Sequence, residues 1–300
     1  MAFTAKDVQA LREKTGCGMM DCKKALVECD GDMDKAVDYL REKGLASQQK
    51  KAGRIAAEGT VYTCVKNGVG AVVEINAETD FVAGSDAFKE LAAKIAGVVI
   101  DQNPADLDAL LECKEDGKTV SEMVQDLFLV VRENIKVRRF ARYEGVVSTY
   151  IHGGGRIGVM VKFDTTDEIA NSAEFQAAAK DVAMQVAAAN PLFLNKESVD
   201  PEVVEHEKKI LTEQVINEGK PAQIAEKIVM GKMAKYYKEN CLVDQIFVKD
   251  NDLTVQKYID GVAKQLGGTV AIVGFERFEK GEGLQKREDN FADEVASMVK

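Results

Sequence analysis

Apolar and polar residues in the first 45 positions follow a helical period that glycine-containing breaks interrupt twice. The pattern predicts three short helices, of which the second runs from about Met19 to Cys29 and the third ends at Gly44. Met19 and Met20 point about 100 degrees apart on a helix, so they cannot both face a core. We therefore expect a face with Leu11, Met19 and Met20 to remain exposed, where adaptable methionine side chains suit a partner helix.

A polar and locally basic segment at residues 46–58 is predicted to be a linker, in which a helical stretch is possible. A pattern that occurs twice follows it. The first copy has two alternating apolar runs joined at Asn67–Gly68 and then a helical pattern from about Asp86. The second copy turns at Gly153–Gly155 and continues into a helix that contains Phe175. Each copy predicts a β-hairpin followed by a helix that covers one face of a sheet. The fold class is therefore α+β with two related subdomains.

Three further segments have clear patterns. A strand dotted with arginines is predicted over Ile135–Tyr143, with the arginines on a charged and partly exposed face. Two helices, about Pro201–Asn217 and Ala222–Glu239, predict an antiparallel pair that projects from the second copy, because its apolar stripe is narrow. The segment Asn290–Lys300 predicts a last amphipathic helix.

The composition and charge of the chain reduce the number of possible functions. The 300 residues include 40 Lys and Arg against 50 Asp and Glu, a formal net charge of -10. This balance disfavours nucleic acid as a direct partner, because binding through counterion release needs clustered positive charge. No run of 18 apolar residues and no apolar signal-peptide core occur, so we expect a cytoplasmic protein without a membrane partner.

No catalytic or metal-binding motif is apparent. The six cysteines include no C-x-x-C pair, and neither histidine has a nucleophile placed beside it by a motif. Gly153–Gly158 fits the spacing G-x-G-x-x-G, but strand patterns flank it on both sides, whereas a dinucleotide site needs a helix after the turn. We therefore predict no cofactor, no bound metal and no enzymatic chemistry.

One loop stands out. It carries Thr79, Asp80, Phe81 and Val82 between the end of a strand and the start of a helix. From the pattern alone, Phe81 either folds back into the core or stays exposed for a function. The corresponding segment of the second copy, Thr166–Ile169, has no aromatic residue. Because a ring required by the shared fold would occur in both copies, this difference favours a function for Phe81.

These segments resemble the bacterial elongation factor Ts family, whose members exchange guanine nucleotides on elongation factor Tu. The resemblance covers essentially the full chain. It departs from the family pattern at Cys17, where the family often has Ala, and at Gly154–Gly155, where a single small residue is usual. The segments that carry it are Leu11–Leu26, Thr79–Val82, His152–Gly158, Lys220–Ile228 and Phe275–Phe278.

The resemblance implies a domain organisation. Residues 1–54 would form a three-helix, ubiquitin-associated-like module and its linker. Core subdomain 1 would span 55–143 and carry the loop with Phe81, and core subdomain 2 would span 144–282. The helical pair would be an insertion at about 201–240, and residues 283–300 would form a C-terminal helical module.

The resemblance also implies a partner and a mechanism. The protein would bind elongation factor Tu in its GDP-bound and nucleotide-free forms. It would contact the GTPase domain of that partner through its own residues Leu11, Met19 and Met20. The Thr79–Val82 loop would enter beside the nucleotide site and dislodge Mg²⁺, with Phe81 as the wedge. GDP would then leave, and the stabilised nucleotide-free state would accept GTP.

Contacts in the second subdomain are implied at His152, Gly153 and Arg156. A homodimer or a 2:2 complex with the partner stays open. So does a different class of function, a non-exchange adaptor that binds other proteins through the N-terminal helices alone.

Overall fold

Three helices form the N-terminal end of the chain in the computed structural model, which describes residues 3–219 and 221–285. They are α1 (Ala5–Thr15), α2 (Met19–Glu28) and α3 (Met33–Lys51). Asp32 begins α3, because its carboxylate accepts the N–H groups of Asp34 and Lys35, both at 3.1 Å.

The predicted end of the third helix at Gly44 is wrong. Helix α3 continues through Gly44 to Lys51, into the predicted linker. Gly44 is buried where the helix meets Leu129, and a Cβ atom at Gly44 would lie 2.2 Å from Leu129 Cδ2. This glycine therefore allows a close approach between helices and does not end one.

The next part of the chain forms a three-stranded antiparallel sheet covered by helices. Its strand order is β1-β2-β5, and β1 and β2 are joined at the predicted turn, Asn67–Gly68. The elements are β1 (Glu58–Lys66), β2 (Val69–Ala77), α4 (Asp80–Ala83), α5 (Asp86–Gln102), α6 (Leu107–Glu112), β3 (Lys114–Glu115), β4 (Lys118–Thr119), α7 (Val120–Val131) and β5 (Lys136–Glu144).

A second sheet repeats this arrangement. Its strand order is the first strand of the hairpin, the second strand of the hairpin and then the last strand of this part of the chain. Together the two parts confirm the predicted α+β class. The elements are β6 (Val146–His152), β7 (Ile157–Asp164), α8 (Asp167–Ala170), α9 (Ala173–Ala189), α10 (Pro201–Asn217), α11 (Ala222–Asn240), β8 (Ile246–Phe247), β9 (Asp250–Thr254), α12 (Val255–Gln265) and β10 (Ala271–Glu279).

The two hairpin–helix units also share their helix caps. Ser85 and Ser172 begin α5 and α9, and each hydroxyl accepts the N–H of a buried phenylalanine three residues later. Asn103 and Asn190 end the same two helices in the left-handed conformation. The chain therefore uses one local design twice.

The two sheets pack face to face, with α5 and α9 on the outer sides. Val61 and Val72 of the first sheet meet Met160 and Phe278 of the second in a buried cluster. Gly158 allows this approach, because a Cβ atom there would lie 2.3 Å from Val61 Cγ1. The helix–sheet–sheet–helix arrangement places both hairpin–helix turns on one frame.

A buried carboxylate lies at the edge of this sheet interface. Glu74 of β2 is inaccessible to solvent, and its oxygens accept hydrogen bonds from Arg138 Nη1 at 2.9 Å, Arg139 Nε at 2.6 Å and the Gly281 N–H at 2.8 Å. The prediction that these arginines lie on a partly exposed strand is confirmed, since their side chains are 24% and 30% exposed. The prediction did not include that both guanidinium groups pair with an acid inside the protein.

The helical pair has its own small core. Val215 of α10 packs with Ala225, Val229 and Met233 of α11. The bounds of α10 and α11 confirm the two predicted helices to within one residue. No helix in the described parts of the chain is long and apolar enough to span a bilayer.

Two predictions on organisation are not decided by this fold. The terminal helix predicted at 290–300 lies outside the described residues. The domain boundaries at 54, 143 and 282 stay predictions.

Replacing Glu74 with glutamine should destabilise the fold. Glu74→Gln removes the charge that pairs with Arg138 and Arg139, and we expect the free energy of unfolding to fall by about 2–4 kcal/mol. Urea denaturation measures it. Glu144→Gln is the control, since Glu144 pairs with Arg142 at 2.6 Å but has a side chain that is 66% exposed, and about 0–1 kcal/mol is expected. Equal losses in the two variants would contradict this role for Glu74.

Candidate functional site

The segment that carries Phe81 is a capped helical turn. It was predicted as a loop, but Asp80–Ala83 forms the one-turn helix α4. The turn begins at Thr79, whose hydroxyl accepts the N–H of Val82 at 3.3 Å. It closes at Gly84, whose N–H donates to the Asp80 carbonyl at 2.8 Å. The backbone of the segment is thus fixed by its own hydrogen bonds.

This turn directs neighbouring side chains in opposite ways. Val82 is buried in the core of the first sheet, whereas Phe81 is 86% exposed. The alternative in which Phe81 folds into the core is therefore wrong. The ring is therefore available at the surface of the protein.

The second copy has the same turn without the ring. Thr166 caps it, Ile169 is buried like Val82, and Glu168 takes the exposed position of Phe81. Because the fold accepts a charged residue at this position, the turn does not need an aromatic side chain for stability.

Two carboxylates hold the base of the Phe81 turn. The Glu133 carboxylate accepts the Thr79 N–H at 3.0 Å and the Thr79 hydroxyl at 2.7 Å. Glu78 accepts the Asn134 N–H at 2.7 Å and pairs with Arg54 at 3.3 Å. Sequence analysis missed both acids. The available signal was the polar pair Glu133–Asn134 directly after an apolar helix.

The N-terminal helices present a second exposed apolar surface. Met19 is 43% exposed and Met20 is 73% exposed. The prediction that Leu11 shares this surface is wrong, because Leu11 is fully buried in the core of the three helices. Cys22 lies in the same core, and burial raises the pKa of its thiol, which keeps it neutral.

The end of α7 joins these helices to the rest of the protein. Arg132 Nη2 lies 2.6 Å from Oδ2 of Asp21, and Asp21 is the residue that follows the two exposed methionines in the sequence. The Arg132 carbonyl accepts a hydrogen bond from Lys51 Nζ at 2.6 Å, and Leu129 packs into the helical core. Arg132, the partner of Asp21, directly precedes Glu133, the partner of Thr79, so the structure links the methionine surface to the Phe81 turn.

The remaining predicted contacts lie on a separate turn. His152, Gly153 and Arg156 are exposed between β6 and β7. Arg156 Nη2 pairs with Glu279 of β10 at 3.2 Å. Gly155 in this turn has φ +101, and its carbonyl accepts the Val61 N–H at 2.8 Å. The glycine-rich turn therefore joins the two sheets.

The described residues contain no group of three or more His, Cys, Asp or Glu side chains placed to hold a metal ion. The site we describe consists instead of an exposed ring on a capped turn, exposed methionines and the polar contacts that join them. These features are typical of proteins that bind a partner through exposed apolar side chains.

Comparison with known proteins identifies the family. The family model described as elongation factor Ts matches residues 78–282. Elongation factor Ts of Clostridium perfringens is 52% identical over 302 residues, which cover 99% of each chain. That of Clostridium botulinum is 50% identical over 305 residues, covering 99% of this chain and 98% of the relative. The chain belongs to the elongation factor Ts family.

The exposure of Phe81 predicts that its ring contributes little to stability. Phe81→Ala should change the free energy of unfolding by less than about 0.5 kcal/mol. Phe88→Ala is the matched control, because Phe88 is fully buried under the same sheet and its loss should cost about 3–5 kcal/mol. Thermal and urea unfolding measure both. A large loss with Phe81→Ala would show that the ring packs inside the protein.

Proposed function

We propose that the protein is the guanine nucleotide exchange factor of elongation factor Tu. It binds the GDP-bound form and speeds GDP release by inserting Phe81 beside the nucleotide site, which dislodges Mg²⁺. The nucleotide-free form that results is stabilised until GTP binds. The observation that supports this most is the exposure of the Phe81 ring. The ring is 86% exposed, on a turn whose backbone is held by its own hydrogen bonds.

The physics of nucleotide binding explains how a side chain without reactive groups could act. GDP and its Mg²⁺ are held largely by electrostatic interactions, so displacing the ion removes the largest local charge. Phe81 needs only shape and apolar area to stabilise the rearranged pocket. Asp80, beside it and also exposed, adds a negative charge near the metal. The factor itself makes and breaks no covalent bond.

Thermodynamic coupling explains how a nucleotide can release the factor. A factor that weakens nucleotide binding tenfold is itself bound tenfold more weakly by the nucleotide-loaded partner, which corresponds to about 1.4 kcal/mol. Incoming GTP can therefore expel the factor. Because translation takes place in the cytoplasm, the proposal also places the protein there.

Separate surfaces have separate tasks in this proposal. Met19 and Met20 dock the partner's GTPase domain, and Leu11 supports them from within the helical core. Thr79 and Asp80 present Phe81, and Val82 anchors the turn in the core. His152, Gly153 and Arg156 form a contact with the partner on the second sheet.

Removing the ring should slow exchange. We expect Phe81→Ala to lower the rate of GDP release from elongation factor Tu at saturating factor by about tenfold or more, because the wedge is lost while the fold is kept. Release of a fluorescent GDP analogue, followed by stopped flow, measures the rate. Glu168→Ala, at the same position of the second turn, is the control and should leave the rate unchanged. A Phe81→Ala protein with the parent rate would reject the wedge.

Changing the docking surface should have a different signature. Met20→Ala removes apolar contact area, so we expect the factor concentration for half-maximal release to rise about three- to tenfold, with little change in the maximal rate. The same assay over a range of factor concentrations separates the two parameters. Val27→Ala is the control, since Val27 is 52% exposed on the same helix. Equal shifts for the two variants would place the docking surface elsewhere.

A further inference from the structure

Three consecutive residues after α7 each reach a different part of the protein. Arg132 pairs with Asp21 of the N-terminal helices at 2.6 Å. Glu133 accepts two hydrogen bonds from Thr79. Asn134, which is 2% exposed, donates from its side chain to the Arg54 carbonyl at 2.9 Å. The segment Arg132–Asn134 therefore fixes the Phe81 turn relative to the helices that carry the methionines.

Glu133 makes the direct connection to the turn. Its two oxygens take the backbone N–H and the hydroxyl of Thr79, at 3.0 and 2.7 Å. Hydrogen bonds to a carboxylate are stronger than those between neutral groups. Because the Phe81 ring is 86% exposed, it packs little against the rest of the protein. The position of the ring thus depends on the backbone of the turn, and that backbone begins at Thr79.

The second copy provides an internal comparison. There the residue after α12 that lies against the turn is Gly268, at the place where Glu133 meets the first turn. A Cβ atom at Gly268 would lie 2.5 Å from Ile169 Cδ1. Among the hydrogen bonds of the described residues, Thr166 makes none with a carboxylate. The carboxylate contact thus accompanies the turn with Phe81 and is missing from the turn with Glu168.

We propose that Glu133 is a positioning residue for nucleotide exchange, which acts through Thr79 to hold the Phe81 turn in its active orientation. This inference rests on the proposed function of Phe81. Without the Glu133 carboxylate the turn keeps its internal cap and the neighbouring Glu78–Asn134 contact, but it loses the two hydrogen bonds that hold Thr79 against the segment after α7. Only a fraction of the bound factors then presents the ring correctly, and the maximal rate falls to that fraction of the parent rate.

The test combines substitutions at Glu133 with the loss of the ring. Glu133→Ala and Glu133→Gln are each made in the parent and in the Phe81→Ala protein, and GDP release from elongation factor Tu is measured over a range of factor concentrations. In the parent, we expect Glu133→Ala to lower the maximal rate about tenfold without changing the half-saturating concentration. Glutamine can still accept the Thr79 N–H and donate to its hydroxyl, so Glu133→Gln should restore most of the rate.

In the Phe81→Ala protein, Glu133→Ala should cause no further loss, because no ring is left to position. Thr166→Ala is the matched control in the second turn and should leave the rate unchanged. If Glu133→Ala fails to fold, Thr79→Ala gives a second test: it removes the hydroxyl that Glu133 binds together with the cap of the turn, so it should lower the maximal rate at least as much. Thr79→Ser keeps that hydroxyl and should lose less of the rate than Thr79→Ala.

Two results would overturn the positioning role. An equal loss in the presence and absence of the Phe81 ring would mean that Glu133 acts independently of the turn. A rise in the half-saturating concentration at an unchanged maximal rate would mean that Glu133 contributes to docking. The proposed function fails separately, if Phe81→Ala alone leaves GDP release unchanged.

Discussion

The buried carboxylate of Glu74 is the interaction on which the frame of this protein depends. A charge without access to water is tolerated only when its lone pairs are satisfied. Here the donors come from two arginines of β5 and from the backbone N–H of Gly281, just after β10. Satisfying one acid therefore fixes the register of β2 against β5 and the position where the second sheet ends. The same carboxylate thereby ties the first sheet to the segment that follows the second sheet, beside the apolar cluster through which the two sheets pack.

A duplicated scaffold separates what the fold needs from what the function needs. Both turns have a threonine cap and a buried aliphatic residue, and both are followed by a serine-capped helix. These shared features stabilise the fold. The differences, Phe81 against Glu168 and Glu133 against Gly268, lie at and beside the exposed position. The proposed function would thus depend on a few side chains added to a general frame.

Exchange by such a protein is a matter of geometry. In the proposed function the methionine surface gives affinity and the ring acts at the nucleotide site, so the two would have to be held at a fixed distance. The segment Arg132–Asn134 lies between them and bonds to Asp21 on one side and to Thr79 on the other. Such a link would let binding energy at one surface be used at the other.

Local sequence patterns determined the helices, the hairpin at Asn67–Gly68 and the repeated turn, because these depend on the spacing and backbone preferences of neighbouring residues. Comparing the two copies also indicated that the Phe81 ring is exposed. Tertiary structure alone decided that Leu11 is buried, that α3 continues through Gly44 and that Glu74 pairs with two arginines. It also decided that Glu133 binds Thr79, which lies 54 positions away in the chain. Each of these depends on a partner distant in sequence, and a local pattern carries no information about which partner the fold brings near.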